Sequence, residues 1–145
     1  MTLNLFSDYS LRILMYAALR EAEQFSVDEA AKAYGLSRHH TAKVVNFLAK
    51  RGYLKCKRGR GGGVALGKPA GEVRIGEVLR QTEGGPPLVE CFDAASNTCP
   101  LIHACVLKRA LAEALAAFFN SMDKITLAQL VERPESMRRA LSLQP

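Results

Sequence analysis

The sequence predicts a mainly α-helical fold with one small β-hairpin: a winged helix-turn-helix followed by a long C-terminal helix. Three observations predict it. Two short helical segments flank Gly35, and a basic glycine-rich stretch, Arg58-Gly59-Arg60-Gly61-Gly62-Gly63, separates two short strand-like runs. Further along, Leu107, Leu111, Leu115, Phe118 and Met122 recur at spacings of 4, 4, 3 and 4. These features divide the 145 residues into a winged segment over 1–83, a cysteine-containing loop over 84–99 and a helical segment over 100–145.

The first helix is expected from about Ser7 to Arg20, with Leu11, Leu14, Met15, Ala18 and Leu19 on one face. Ser7 is the expected N-cap, and Asp8 follows in the first turn, where the positive end of the helix dipole favours an anion. The second helix begins at Ser26, since Ser26-Val27-Asp28-Glu29 has the form of a capping box, and Gly35 stops it. The third helix runs from Ser37 to about Arg51 with Val44 and Leu48 on its buried stripe; its other face shows Arg38, His39, His40, Lys43 and Asn46. Gly52 to Lys57 and Val64 to Leu66 are strands around the glycine-rich turn, and Lys68-Pro69 ends the hairpin. A further helix covers about Ile75 to Gln81, and Gly84-Gly85-Pro86-Pro87 interrupts the pattern. A long helix is expected to start at Pro100, a residue suited to a first helical turn, and Thr126-Leu127-Ala128-Gln129 caps a last short one.

Composition narrows the function. Apolar residues make up 48% and charged residues 23%, the balance of a globular chain. No apolar run approaches the roughly 20 residues that span a bilayer, and the start lacks the pattern of a secretory signal, so a cytoplasmic location is expected. Residues 1–80 hold 14 Lys+Arg against 7 Asp+Glu, whereas residues 81–145 hold 6 against 7. The positive field therefore belongs to the N-terminal half, which suits a polyanion partner for that half alone.

A helix fits the DNA major groove, where Arg, Lys, His and Asn can hydrogen-bond to base edges. Ser37, Arg38, His39, His40, Thr41 and Lys43 occupy the part of the third helix that would enter the groove, with Thr41 offering a thymine-methyl or phosphate contact. In the wing, Arg58 and Arg60 sit beside Gly59, Gly61 and Gly62, and glycine lets backbone approach phosphate or a narrow minor groove closely. A nucleotide phosphate loop is a poorer reading, since the stretch lacks the Gly-Lys-Ser/Thr ending. Double-stranded DNA is the expected partner. No paired carboxylates or Ser/His/Asp arrangement can be assembled, so the chain does not read as an enzyme.

The four cysteines are Cys56, Cys91, Cys99 and Cys105. In a reducing compartment, three thiols between 91 and 105 point to metal or redox chemistry rather than structural disulfides. Seven and five residues intervene, unlike the CxxC spacing of zinc ribbons. Thiolates bind zinc, copper(I) or iron–sulfur clusters, and a fourth ligand could come from Cys56, His103, Asp8, Glu90 or water. A zinc-stabilised or thiol-redox DNA-binding protein stays open on spacing alone. His39 and His40 are adjacent and diverge on a helix, and His103 reads as a helix-surface residue.

Several stretches together resemble the Rrf-type winged-helix iron–sulfur transcriptional regulators. They are Phe6-Ser7-Asp8-Tyr9, Leu14-Met15-Tyr16, Tyr34-Gly35-Leu36-Ser37-Arg38-His39-His40, Arg58-Gly59-Arg60-Gly61-Gly62-Gly63, Leu66-Gly67-Lys68-Pro69-Ala70 and Arg74-Ile75-Gly76-Glu77-Val78. The likeness covers nearly the whole chain and is greatest to the family's nitric-oxide-sensing repressors. It implies a homodimer with the long helix pairing across the two-fold axis, binding a palindromic operator. It also implies an iron–sulfur cluster, 2Fe–2S or 4Fe–4S, ligated by Cys91, Cys99 and Cys105, with Asp8 of the partner subunit as fourth ligand. Two branches differ: the cluster-biogenesis regulators carry a histidine where this chain has Lys108, and the iron-responsive regulators resemble it in the cysteine loop but lack counterparts of Asp8 and of the Ser37-Arg38-x-His40 pattern.

Overall fold

The computed structural model describes residues 2–21, 23–84 and 87–143. In chain order the elements are α1 (Leu5–Leu19), α2 (Val27–Tyr34), α3 (Arg38–Lys50), the antiparallel strands β1 (Leu54–Lys57) and β2 (Gly63–Leu66), α4 (Ile75–Thr82), α5 (Val106–Asp123), α6 (Leu127–Leu130) and α7 (Pro134–Ala140). Short 3-10 turns lie at Ala70–Glu72 and Glu90–Phe92. Gly85 and Pro86 of the expected interruption lie outside the described residues.

Helix α1 is central, touching α2, α3, α4, α6, α7 and β2. It begins earlier than expected, and its cap is Asn4 rather than Ser7: extended Asn4 accepts the Ser7 N–H through its side chain at 2.8 Å. Ser7 is buried instead. Its hydroxyl donates to Thr82 Oγ1 at 2.7 Å, and Thr82 Oγ1 donates to the Val78 carbonyl at 3.0 Å, so burial leaves neither hydroxyl unpaired. The buried face is also wider than the expected stripe. Ile13, Tyr16 and Ala17 join Leu14 and Leu19 in the core, while Leu11, Met15 and Ala18 are half-buried, because α1 is covered from several sides.

The expected capping box forms around α2: Ser26 Oγ accepts the Glu29 N–H at 3.1 Å, and the Glu29 carboxylate accepts the Ser26 N–H at 2.6 Å. That backbone bond is the main reason the Glu29 carboxyl lies below its ordinary value. Gly35, at φ +63°, turns the chain out of α2 in the left-handed conformation that glycine adopts without strain. From α3, Val44, Val45 and Leu48 enter the core beside Ile13 and Leu14. The hairpin pairs Leu54 with Leu66 and Lys57 with Gly63, and a bridge from Phe25 to Val64 ties the strand pair to the segment before α2. Tyr16 packs edge-to-face on Phe25 at 4.9 Å.

The C-terminal part returns to the same core. Leu127 is fully buried, and its N–H donates to the Val73 carbonyl at 2.9 Å. The capping box at Thr126 and Gln129 forms as the sequence predicts. From α7, Arg138 donates through Nε and Nη2 to the Leu19 carbonyl, capping the end of α1, and pairs with Glu21 at 2.7 Å. The α4–α5 junction is close: a Cβ on Gly76 would collide with Asp123, and Arg80 grips the Asp123 carboxylate with two hydrogen bonds of 2.6 and 2.7 Å. The long helix starts at Val106 and not at Pro100. Residues 101–104 form a turn, and the Cys105 sulfur provides the cap, accepting the Lys108 N–H at 3.3 Å. None of the 18 residues of α5 is buried by the described chain.

Candidate DNA interface and cysteine loop

Ser37, Arg38, His39, His40 and Lys43 are all exposed at the start of α3, with Asn46 one turn further on. The helix presents them because Val44, Val45 and Leu48 hold its opposite side in the core. Thr41 does not share that face. It is fully buried, and its hydroxyl donates to the Ser37 carbonyl at 3.0 Å, which corrects its expected place at a DNA surface. A threonine whose hydroxyl bonds back to a carbonyl of its own helix is readily accommodated in a core. The imidazoles of His39 and His40 are 5.9 Å apart and tilted by 53°, so they do not form a joint ligand pair.

The wing lies beside this helix. Lys55, Lys57, Arg58 and Arg60 are exposed, and Gly59 and Gly61 hold the turn at φ +94° and +77°. A Cβ on Gly62 would strike the carbonyls of Lys57 and Gly59, so only glycine fits there. A groove of about 330 Å³ separates the two elements, lined by Ala42, Val45 and Asn46 of α3 and by Cys56, Lys57 and Gly62 of the wing. Among the described residues, none of Lys43, Lys55, Lys57, Arg58 and Arg60 meets a carboxylate. Cations left unneutralised on two adjoining elements form the field that a phosphate backbone requires. Two features of this face go beyond the sequence expectations: Arg38 is bonded to Asp28 at 2.6 Å, and the Arg51 guanidinium stacks on Phe47 at 3.5 Å. The second could have been found from the i, i+4 spacing; the first joins separate helices and leaves no local signal.

The cysteines occupy the segment between α4 and α5 and its edge. Cys91 sits in the turn Glu90–Phe92, the Cys99 N–H donates to Asn97 Oδ1 at 3.3 Å, and Cys105 caps α5. All three thiols are free and half-buried, while Cys56 is exposed on β1. Asp93 shapes the loop by accepting the Ser96 hydroxyl and the Ala95 N–H, and the hydroxyl chiefly holds its carboxyl below the ordinary value. His103 is exposed in the turn before α5 rather than on a helix surface. Among the described residues, no three His, Cys, Asp or Glu side chains come together around one ion. As a donor set, the three thiols nonetheless suit a thiolate-ligated centre. None takes part in a disulfide, and Cys105 lies at the start of an 18-residue helix whose first turn bears Lys108 and Arg109, cations that would offset the negative charge of a thiolate-bound centre.

Asp8 lies on α1, away from this loop in sequence. Its carboxylate accepts Arg12 Nε at 3.0 Å and pairs with Arg12 Nη2 at 2.8 Å. The start of α1 is tied in two directions. Asn4 accepts no bond from α4 but donates to it: its N–H donates to the Glu83 carboxylate and its side chain to the Thr82 carbonyl, both at 3.0 Å, at the point where α4 leads into the cysteine loop. Phe6 packs edge-to-face on Phe47 of α3 at 4.9 Å. Leu3, Leu5, Leu88, Leu101, Val106 and Leu107 are large apolar side chains left exposed. No helix among the described residues is long and apolar enough to cross a membrane.

The sequence profile of the Rrf2 family, described as iron-dependent transcriptional regulators, matches residues 3–133. The HTH-type transcriptional regulator NsrR of Bacillus subtilis strain 168 is 42% identical over 144 residues, 99% of each chain. Its namesake in Geobacillus kaustophilus HTA426 is 44% identical over 142 residues, 97% of each chain. The structure of T. potens IscR superposes with a TM-score of 0.75 at 20% identity, covering 94% of this chain and 90% of that one, a likeness of fold.

Proposed function

This chain belongs to the Rrf2 family of DNA-binding transcriptional regulators, and from that membership we propose that it is a cytoplasmic, homodimeric repressor that senses nitric oxide through an iron–sulfur cluster. Cys91, Cys99 and Cys105 would hold the cluster, with Asp8 of the partner subunit as fourth ligand. One observation carries the reading: three unpaired thiols fall between a helix of the winged core and an 18-residue helix that this chain leaves without a single buried residue. Exposed Val106 and Leu107 suit a second copy of the chain as the cover for that helix.

A cluster held by these residues would supply iron as the binding site for nitric oxide. The chain's own residues account for how its state would be felt at DNA. Asp8 stands two residues after Phe6, whose ring rests on Phe47 of α3, so a shift of the α1 start is carried into the helix that bears Arg38, His39, His40 and Lys43. In a dimer, the two α3 helices must lie about 34 Å apart to read successive half-sites, and small displacements weaken specific binding steeply. Ser37, Arg38, His39, His40 and Lys43 would face bases and phosphates in the major groove, while Arg58, Arg60, Gly61 and Gly62 follow the backbone or minor groove.

The test is anaerobic purification, assay of iron and sulfide, and titration with nitric oxide while retention on genomic operator fragments is followed. A brown protein that releases DNA on nitric oxide is the expected result; a colourless protein with one zinc per chain would overturn it in favour of a structural site. The family's description as iron-dependent favours a second reading, in which the same centre reports iron supply. A parallel titration with an iron chelator separates the two. Replacing Asp8 with Ala is expected to slow or abolish nitric-oxide-driven release; a variant with an intact cluster and normal release removes Asp8 from the ligand set.

A further inference from the structure

Lys43, Lys55, Lys57, Arg58 and Arg60, which meet no carboxylate among the described residues, contrast with Arg38. Arg38 is the first residue of α3, and its Nε donates to Oδ1 of Asp28, in the first turn of α2, at 2.6 Å. Both side chains are largely exposed, at 72% and 66%. An exposed pair of this kind adds little to stability. An anion on a surface that meets phosphates also weakens the attraction to DNA. A carboxylate in that place therefore needs another reason, and the atom it engages supplies one. Asp28 takes Nε, and among the described residues Nη1 and Nη2 make no hydrogen bond. Those two terminal nitrogens form the fork that matches O6 and N7 of guanine in the major groove. Arginine is long and rotamerically free, so an acceptor on the first turn of α2 that engages Nε favours the rotamers that present the fork. The pair gains strength as the groove excludes water.

We propose that Asp28 is a specificity-determining positioning residue that holds Arg38 for end-on reading of a guanine in each half-site. The assignment rests on the reading that α3 enters the major groove. Asp28 reaches no base itself; it acts through Arg38.

The test uses the anaerobically purified full chain and a duplex library randomised across the span of two half-sites, with the bound pool sequenced. Wild type, Asp28→Ala, Asp28→Asn and Arg38→Ala are compared, together with the salt dependence of binding to one fixed scrambled duplex. Asp28→Ala and Arg38→Ala are expected to lose the same guanine, each by roughly tenfold in preference. Asp28→Asn, whose side-chain oxygen still accepts from Nε, is expected to keep part of it. On the scrambled duplex, Asp28→Ala binds at least as tightly as wild type because an anion has gone, while Arg38→Ala binds more weakly. That opposition of sign is one a merely structural role does not produce. The Asp28→Ala, Arg38→Ala double variant is expected to select the same sequences as either single variant. Retention of the wild-type guanine by Asp28→Ala, or loss of different positions by the two single variants, overturns the assignment. A wild-type pool with no enriched sequence overturns instead the groove reading beneath it. Asp28 is exposed and the capping box of α2 uses Ser26 and Glu29, so Asp28→Ala keeps its cap; Asp28→Ser, equally at home in a first turn, repeats the measurement if Asp28→Ala folds poorly.

Discussion

The winged half and the cysteine half of this chain are built to different degrees of completion. In the first, α1, α2, α3 and the hairpin bury Ile13, Leu14, Tyr16, Phe25, Val44, Leu48 and Leu54 against one another, and the capping groups at Asn4, Ser26 and Gly35 come from the same stretch of chain. In the second, the longest helix has no fully buried residue, only Phe118, Phe119 and Met122 pack partly on the core, and among the described residues the thiols do not converge. The reading head is therefore specified by one chain acting alone. The segment proposed to control it has surfaces and donors still to be satisfied, and a second chain and an inorganic centre are what would satisfy them. A sensor made of incomplete parts can respond to the completing ligand, since stability it gains only on binding is stability that a signal can remove.

The largest expected effect breaks this comparison if it fails. Leu48→Ala, at a site with no exposure, should cost about 3 kcal/mol in the isolated chain and lower the melting temperature equally at every protein concentration. Leu107→Ala, at a site 65% exposed, should cost under about 0.5 kcal/mol in the monomer. Its effect should instead be read as weaker self-association by analytical ultracentrifugation. A Leu107→Ala chain that melts lower at all concentrations, with unchanged association, would mean that α5 is completed within the monomer.

The same division decides what could be read from sequence. Local signals carried over well: the boxes at Ser26–Glu29 and Thr126–Gln129, the glycine stop at Gly35 and the hairpin all involve partners within a few residues. Misreadings fall where a distant partner decides. Asn4 and Ser7 are both good cap formers, and the choice between them is set by Thr82 and Glu83 at the far end of α4. Thr41 carries a polar label but satisfies its hydroxyl on Ser37, so it can be buried. The start of α5 differs from the expected Pro100 because proline suits a first turn, whereas a cysteine sulfur capping a helix is not among the usual signals. Of the candidate site, residue types were legible and pairings were not: neither Asp28 with Arg38 nor Arg138 on the Leu19 carbonyl has a sequence pattern.

A smaller effect sharpens the comparison on the winged side. Arg60 has no carboxylate partner among the described residues and sits in the glycine turn, so Arg60→Ala should leave stability within about 0.5 kcal/mol. In DNA binding it should lower the slope of log K against log salt by about one unit, the share of one phosphate contact. An unchanged slope removes Arg60 from the interface, and with it the argument that unneutralised wing cations mark the polyanion surface.

The smallest effect lies at the seam between the halves. Arg80 donates twice to Asp123, chiefly holding that carboxyl below its ordinary value, and the same pairing raises the Arg80 value. A carboxyl lowered in the folded chain stabilises it while ionised. That contribution is fully present above the ordinary aspartate value of about 4 and disappears as pH falls through the lowered folded value. Wild type should therefore lose slightly more stability than Asp123→Asn between neutral and strongly acid pH, with the two curves converging at the acid end. Solvent reaches the pair, so the gap should also shrink in high salt. Because Arg80 lies over the Phe119 ring at 4.8 Å and Asp123 covers Gly76, the loss should loosen the base of α5 before it touches the winged core. Hydrogen exchange at acid pH would locate it: faster exchange in α5 than in α3 agrees with a seam between two unequally finished halves, and uniform acceleration would mean that the chain opens as one unit.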